Sequence, residues 1–320
     1  MVRKQVTVSK FFDKIIKKLK KDHDIQDTQI LEPSELATDD ATKPLQPVPD
    51  MITEVAFRFG GLEPKQLIAA CAQSVGKQRD HNEDALFCLT STLANNASNI
   101  PFGLYVVADG MGGHQHGEVA SEIATRAMAD CVIRNLYSPL FSIKPKPPVD
   151  TLQEILISGV NTAHDAIIGS VTGGGTTLST VLVLGKQMII AHVGDSRVYV
   201  VDTHGVMRPL TRDHSLVKRL EELGQITPEE AAIHPQRNVL YKALGQGEPF
   251  EPEIITTPIP QPGHLLICSD GLWGVVPTEK LGKIIISANT PYQACQELID
   301  AANDAGGPDN ITAILVRLPE

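Results

Sequence analysis

Short apolar segments rich in β-branched residues alternate along the chain with longer segments of helical periodicity. The short segments predict strands at Ala85–Leu89, Gly103–Ala108, Leu178–Leu184, Met188–Val193, Arg197–Val201, Leu265–Cys268 and Ile311–Val316. The longer ones predict helices at Gly117–Leu136, Thr151–Ile168, Thr278–Ser287 and Tyr292–Ala302. Glycine-containing turns interrupt the run Leu178–Val201, which therefore predicts an antiparallel meander. Consecutive strands with helices set apart favour an α+β layered body over a doubly wound parallel sheet.

The first 60 residues differ in composition from this body. Residues 1–24 carry eight basic and three acidic side chains, and Phe12, Ile15, Ile16 and Leu19 share one helical face. This leader could be an amphipathic helix that docks on an anionic membrane surface or a partner, or a solvated tail. Residues 25–60 contain several prolines and are typical of a flexible linker. The pattern thus divides the chain into a leader (1–24), a linker (25–60) and a folded domain (61–320).

Composition and charge exclude several classes of protein. A hydrophobic content of 42% argues against a disordered chain, and no apolar run is long enough to span a bilayer. The five cysteines are scattered and form no CxxC pair, which predicts free thiols and a cytoplasmic location, peripheral at the membrane if the leader docks there. The net charge is −10, and the leader alone contributes +5, so the remainder carries −15. Such an acidic body argues against nucleic acid as a partner.

Acidic residues cluster at the ends of predicted strands. The clusters are Arg79-Asp80-His81-Asn82-Glu83-Asp84, Asp109-Gly110, Asp270-Gly271 and Asp309-Asn310. One Asp-Gly pair by itself is typical of an ordinary turn. If the clusters converge, their carboxylates need cations, and a ligand set made only of oxygen selects Mg²⁺ or Mn²⁺. Two such ions activate a shared water, and a nearby arginine binds two phosphate oxygens, which suits hydrolysis of a phosphate ester.

The ordered motifs resemble those of the metal-dependent protein phosphatases, the type 2C serine/threonine phosphatases, in their bacterial form. The matching segments are RDHNEDA (79–85), VVADGMGGH (106–114), GGGTT (173–177), HVGDSR (192–197), ICSDGLW (267–273) and GGPDNIT (306–312). The segment from Asp213 to Asn238 resembles the flap of that family. Together the matches cover roughly residues 70–318. The resemblance implies a four-layer α-β-β-α sandwich of two antiparallel sheets, with two Mn²⁺ or Mg²⁺ ions at one end.

The resemblance also assigns roles to individual residues. Asp109 would bridge the two ions, the backbone carbonyl of Gly110 would ligate one of them, and Asp270 and Asp309 would hold the second. Glu83 would reach an ion directly or through water, and Arg79 would take the substrate phosphate. Asp84 would lie behind the ligands without contacting an ion, and Asn310 would orient Asp309 or a metal-bound water. The implied reaction is direct attack of water on phosphoserine or phosphothreonine, without a covalent intermediate.

Some positions depart from the family pattern or lie near the motifs. Thr172 and Gly274 stand where many members carry acidic residues, so a third ion is expected to be absent or weakly held. Met111 replaces a histidine that animal members use, and His114 is interpreted as a solvated bystander. Asp195, within Gly-Asp-Ser-Arg, is interpreted as a structural turn residue.

Two functions from different classes remain after this reasoning. The favoured one is an active phosphatase that opposes serine/threonine kinase signalling, with phosphoproteins such as a cognate kinase or its targets as partners, and a monomeric state. The alternative is a catalytically inactive member that serves as a binding or scaffolding domain. Asp109, Asp270 and Asp309 are all present and favour the enzyme, whereas Thr172 leans toward the alternative.

Overall fold

The structure, a computed structural model, describes residues 65–94, 99–113, 115–247, 251–260 and 262–319. The predicted leader and linker (1–24 and 25–60) lie outside the described residues. The described part folds into two facing antiparallel β-sheets, with helices covering both outer surfaces. This is the expected four-layer α+β sandwich. Among the described residues, no helix is both long and apolar enough to cross a membrane.

Eleven strands form the two sheets of the described chain. They are β1 (Ile68–Ser74), β2 (Asp84–Ala94), β3 (Asn99–Met111), β4 (Gly175–Thr176), β5 (Leu178–Leu184), β6 (Gln187–Val193), β7 (Arg197–Val201), β8 (Met207–Pro209), β9 (Glu253–Pro258), β10 (His264–Cys268) and β11 (Ile311–Arg317). One sheet has the order β1-β11-β10-β7-β8, and the other has the order β2-β3-β5-β6-β9, with β4 pairing β3.

The helices of the described chain cover the outer faces of the sheets. They are α1 (Gln115–Val132), continued by a π-helical turn (Ile133–Tyr137), α2 (Ser138–Phe141), α3 (Leu152–Ser170), α4 (Leu216–Glu222), α5 (Pro228–Ala232), α6 (Asp270–Trp273), α7 (Thr278–Ser287) and α8 (Pro291–Asp304). Thr151 caps α3 with a reciprocal capping box, in which Glu154 takes the third helical position.

Three layers of apolar side chains hold the sandwich together. One lies between the two sheets, a second between the β2-containing sheet and helices α1 and α3, and a third between the β1-containing sheet and helices α7 and α8. All seven residues of β5 are buried, because both faces of its sheet are covered. This explains why the central strands read as continuous apolar runs rather than as an alternating pattern.

The predicted meander over Leu178–Val201 is wrong in its last strand. Strands β5 and β6 pair as expected, but β7 belongs to the opposite sheet, where it pairs β10 and β8. The chain changes sheets at Gly194, whose φ is +105° and whose amide N–H donates to Nδ1 of His214 at 3.1 Å. Strands that are adjacent in sequence need not be adjacent in space, and the residue pattern does not reveal which sheet a strand joins.

Other differences concern boundaries and short elements. The strand and helix predictions match observed elements, although β3 is extended to Met111 and α1 gives way to the π-helical turn near Val132. The prediction missed β1, β4, β8 and β9 and the short helices α2, α4, α5 and α6. These elements are short, lie at sheet edges or belong to the flap segment, so they carry little periodic signal.

Candidate active site

The predicted acidic clusters converge at one end of the sandwich. Asp84 at the start of β2 lies directly opposite Asp109 near the end of β3 in the strand register. Asp270 follows β10 as the first residue of α6, and Asp309 precedes β11, the neighbour of β10. Each sheet therefore delivers two carboxylates to the same edge of the sandwich.

The backbone at Asp109 is held by the two threonines of the Gly-Thr-Thr motif. The Asp109 N–H donates to the hydroxyl of Thr177 at 2.9 Å, and its carbonyl accepts from the Thr177 N–H and the Thr176 hydroxyl, both at 2.9 Å. The Thr177 hydroxyl lies 2.7 Å from that of Ser196. The motif 173–177 therefore fixes the strand end that presents Asp109 and forms no phosphate cradle.

Asp84 links the two sheets beneath the site. Its Oδ2 accepts hydrogen bonds from the Ser269 hydroxyl at 2.8 Å and the Thr312 hydroxyl at 2.6 Å, both on the opposite sheet. Its Oδ1 is buried and has no hydrogen-bond partner. A buried carboxylate oxygen without a donor is costly unless a cation or an ordered water lies against it.

Asn310 fastens the loop that carries Arg79 and Glu83. Its Oδ1 accepts from the Glu83 N–H at 2.8 Å, and its Nδ2 donates to the carbonyls of Val75 and His81 at 2.8 and 2.9 Å. One buried amide thus satisfies three backbone groups of the segment between β1 and β2. The loop is positioned by a residue more than 200 positions away in the sequence.

Glu83 is buried directly beside Asp109 and Gly110 at the end of β3. The Gly110 N–H donates to the Glu83 carbonyl at 3.1 Å, and Nε2 of His81 lies 3.2 Å from Glu83 Oε1. Gly117, in the first turn of α1, lies so close that an added Cβ would meet Glu83 Oε2 at 2.0 Å. Arg79 is more exposed, and its guanidinium donates to Asp309 Oδ2 at 2.8 Å.

The carboxylates of this cluster destabilise one another in their charged forms. Loss of hydration raises the pKa of Asp84 to about 7 and that of Asp270 to about 6, and the charge of Asp309 adds to both shifts. Burial raises the pKa of Asp109 well above its usual range, and the neighbouring charges of Asp84 and Asp270 raise it further. Arg79 brings one positive charge to this group through its ion pair with Asp309. The excess of negative charge calls for additional cations.

The donor set fits divalent metal ions. Asp109, Asp270 and Asp309 offer carboxylate oxygens, the carbonyl of Gly110 offers a backbone oxygen, and Asp84 holds an unpartnered oxygen nearby. Oxygen ligands with several negative charges suit Mg²⁺ and Mn²⁺. Cations at this position would remove the mutual repulsion that raises the carboxylate pKa values.

A cavity of about 590 Å³ opens beside the cluster and is partly covered by the flap segment (213–238). Arg79, Asp270 and Asp309 line its inner end, and Lys218 and Arg237 line it from the flap side. Asp213, at the start of the flap, accepts a two-point ion pair from Arg197 at 2.9 and 2.7 Å. The Arg197 guanidinium also stacks on Trp273, 3.4 Å from the ring centroid.

Asp195 is the site residue that the sequence interpretation missed. It was expected to serve only as a structural turn residue, yet it is buried and lines the same cavity as Asp270. Burial raises its pKa well above the usual range, and the charges of Asp270 and Asp213 add to the shift. The backbone role is also present, because the Trp273 indole donates to the Asp195 carbonyl at 3.1 Å. The signal was present in the sequence, since Gly194-Asp195 follows an apolar strand in the same way as Asp109 and Asp270 follow theirs.

The positions that depart from the family pattern have different locations. Thr172 is exposed and does not line the cavity, whereas Gly274 lines it and donates its N–H to the Asp270 carbonyl at 2.7 Å. Met111 ends β3 and pairs with Gly175. His114 lies outside the described residues.

Comparisons with known proteins agree with this geometry. The family model described as Protein phosphatase 2C matches residues 69–311. The serine/threonine phosphatase stp of Listeria monocytogenes is 37% identical over 247 residues, which cover 76% of this chain and 92% of the relative.

Solved structures of serine/threonine phosphatases are also similar to this chain. The serine/threonine phosphatase PstP/Ppp of Mycobacterium tuberculosis has a TM-score of 0.65 and 32% identity, and the match covers 79% of this chain and 99% of that one. The catalytic domain of PstP in complex with 2 manganese ions has a TM-score of 0.64 and 30% identity, with the same coverage. The chain belongs to the protein phosphatase 2C family of metal-dependent serine/threonine phosphatases.

Proposed function

We propose that this chain hydrolyses phosphoserine and phosphothreonine in proteins at a two-ion centre held by Asp109, Asp270, Asp309 and the carbonyl of Gly110. The observation that carries the proposal is the convergence of three carboxylates from two sheets at one end of the sandwich, beside a cavity that Arg79, Asp270 and Asp309 line. Two Mn²⁺ or Mg²⁺ ions, when bound, supply Lewis acidity and lower the pKa of water enough for attack at neutral pH. A relative crystallised with two manganese ions supports this stoichiometry.

Arg79 binds the substrate phosphate in this proposal. Its guanidinium is about half-exposed at the inner end of the cavity and at present donates to Asp309. A guanidinium presents parallel donors that match two phosphate oxygens, so it can orient the phosphoryl group for in-line attack. The ion pair with Asp309 holds the side chain in place before the substrate arrives.

Glu83, Asp84 and Asn310 complete the proposed site. Glu83 lies next to Gly110 at the end of β3 and would hold an ion there directly or through an ordered water. Asp84, opposite Asp109 in the strand register, has a buried Oδ1 without a hydrogen-bond partner, and Asn310 holds the Glu83 backbone. The packing of these buried groups keeps the carboxylates in position at little further cost when the ions bind.

The proposal extends to the partners and the location of the chain. Phosphoproteins are the substrates, with a cognate serine/threonine kinase or its targets among them, and the domain acts as a monomer in the cytoplasm. Residues 1–24 form the leader that docks on a membrane surface or a partner, residues 25–60 form the linker, and residues 61–320 form the phosphatase domain. Five scattered cysteines and an acidic body support the location and argue against nucleic acid.

Hydrolysis of a phosphothreonine peptide tests the proposal. Phosphate release is measured with Mn²⁺, with Mg²⁺ and with EDTA, for the wild type, for Asp109→Asn and for Asp300→Asn, which changes an exposed carboxylate on α8. We expect release that depends on the metal, is lost in Asp109→Asn and is kept in Asp300→Asn. A folded wild type that releases no phosphate with either ion would favour the binding or scaffolding alternative.

A further inference from the structure

A second cleft of about 590 Å³ lies at the base of the flap segment and shares no lining residue with the catalytic cavity. Arg212 and His214 line this flap-base cleft, whereas Asp213 and Ser215 line the catalytic cavity. Alternate side chains of one extended segment therefore face the two spaces. Leu216, Arg219, Tyr241, Lys242 and Glu253 complete the lining of the cleft.

The charge of the flap-base cleft contrasts with that of the chain. Three of its described lining residues are basic (Arg212, Arg219 and Lys242), and Glu253 is the one carboxylate among them, although the chain has a net charge of −10. Arg212 also forms an ion pair with Glu222. Arg219 is exposed, and no ion pair of its guanidinium is found among the described residues. A concentration of basic groups on an acidic body favours binding of an anion.

A buried histidine adds a neutral donor to the cleft. Nδ1 of His214 accepts from the Gly194 N–H at 3.1 Å, so the neutral ring carries its proton on Nε2. Burial lowers the pKa of His214 to about 3, which keeps the ring neutral. Its Nε2 lies 3.6 Å from Glu253 Oε2, beyond hydrogen-bonding distance, and that oxygen has no hydrogen-bond partner. A ligand oxygen in the cleft would therefore compete with Glu253 Oε2 for the His214 Nε2–H.

A metal ion fits this cleft less well than an anion does. Ligand atoms of His192, His214 and Glu253 lie within 4.8 Å of one another. However, Nδ1 and Nε2 of His192 contact the Ser179 hydroxyl at 2.9 Å and the Arg212 carbonyl at 3.1 Å. The second contact requires a proton on Nε2, and Nδ1 of His214 already receives the Gly194 proton. A metal would have to displace these hydrogen bonds, whereas an anion uses the donors that are present.

We propose that the flap-base cleft binds a phosphate oxyanion, with Arg212, Arg219 and Lys242 as the charged donors and His214 Nε2–H as the neutral one. A phosphate carries more acceptor oxygens than a carboxylate, so it can accept from several donors that belong to different elements. Two sources share this chemistry: inorganic phosphate, and a second phosphoryl group on the substrate protein.

The position of the cleft couples such an anion to the flap. The two ends of the flap are paired there, because the Leu216 N–H donates to the Val239 carbonyl at 2.8 Å and the Tyr241 N–H to the His214 carbonyl at 2.9 Å. Arg212 lies next to the first end of the flap and Lys242 next to the second. Asp213, which follows Arg212, forms the ion pair with Arg197 in the catalytic cavity. A bound anion would add contacts between the two ends of the flap.

Calorimetric titration of the Mg²⁺-loaded full chain with inorganic phosphate tests this site. We expect two classes of binding in the wild type. The variant Arg79→Ala should weaken the catalytic class alone. The double variant Arg219→Ala/Lys242→Ala should weaken the other class about tenfold or more, because it removes two charge-assisted donors. The matched control Arg208→Ala changes an exposed arginine of β8 that lies outside the cleft.

The variants also separate the outcomes. A single class of phosphate binding that Arg79→Ala abolishes would overturn the proposal, and so would a second class that Arg219→Ala/Lys242→Ala leaves unchanged. The single variant Arg219→Glu provides a second test at an exposed position, and thermal unfolding confirms that each variant folds. Competition by singly and doubly phosphorylated peptides assigns the source. A doubly phosphorylated peptide that displaces phosphate from the second class indicates the substrate, and failure to displace it indicates free phosphate.

Discussion

Gly117→Ala gives a sharp test of how Glu83 is positioned. Gly117 lies in the first turn of α1, with its Cα against the side chain of Glu83 and the backbone of Gly110. An added Cβ would lie 2.0 Å from Glu83 Oε2 and 2.9 Å from the Gly110 carbonyl carbon. In proteins, a Cβ atom essentially never lies within 3.0 Å of a heavy atom of a residue that is not its neighbour in the chain. The Glu83 side chain must therefore move away by about 1 Å, or the backbone at Gly110 must shift.

The expected effect is larger on activity than on stability. In an exposed helix, replacing glycine by alanine stabilises the fold by about 1 kcal/mol, which partly offsets the steric cost here. A displacement of about 1 Å at a reacting centre costs about 100-fold in rate. We expect kcat of Gly117→Ala to fall about 100-fold and its Mn²⁺ requirement to rise, while the protein stays folded.

A matched control separates the steric effect from the change in helix propensity. Gly169 lies near the end of α3, and an added Cβ would meet no atom within 4 Å. Gly169→Ala should keep wild-type kcat and leave the free energy of unfolding unchanged or raised by up to about 1 kcal/mol. Phosphopeptide hydrolysis over a range of Mn²⁺ concentrations and urea unfolding provide the measurements. Wild-type kcat in Gly117→Ala would refute the reasoning.

Three further predictions follow from the site. Arg79→Lys keeps the charge but loses the paired donors, so KM for a phosphopeptide should rise about tenfold, and an unchanged KM would contradict the phosphate role. Asn310→Ala leaves three backbone groups of the Glu83 loop without partners, so urea unfolding should show a loss of about 3 kcal/mol, against little loss for an exposed asparagine. The raised pKa values of Asp84 and Asp270, about 7 and 6, mean that stability of the metal-free fold decreases as pH rises through this range. The increase in Tm caused by Mn²⁺ should therefore grow from about pH 5 to about pH 8, and an increase that shrinks would contradict the carboxylate site.

Much of the fold could be predicted from periodicity, because its strands and helices are long and strongly patterned. Arg197–Val201 and Thr278–Ser287 match their predicted bounds. The assignment of β7 to the wrong sheet shows the limit of this signal. A local pattern reports whether a residue is buried, but not which of two sheets buries it. The turn at Gly194 depends on a hydrogen bond to His214, twenty residues further along the chain.

The acidic clusters of the site could also be predicted from the sequence, whereas the residues that support them could not. The clusters at Asp109, Asp270 and Asp309 were found because strand-end carboxylates followed by glycine or asparagine repeat along the chain. Asp195 also follows an apolar strand, but the sequence alone favours a structural turn residue at this position. In the structure, the chain changes sheets there and Asp195 lines the cavity. The supports provided by Asn310 and Gly117 join segments distant in sequence, so no local pattern reveals them.

Titration of the metal-free chain with Mn²⁺, followed by calorimetry, tests the central claim most directly. If Asp109, Asp270 and Asp309 hold two ions, the wild type should bind two equivalents tightly. Asp109→Asn should lose both, because in the proposed centre both ions would share its carboxylate, and Asp270→Asn should lose one. Asp300→Asn should bind as the wild type does. Two tight equivalents retained in Asp109→Asn would contradict the proposed centre.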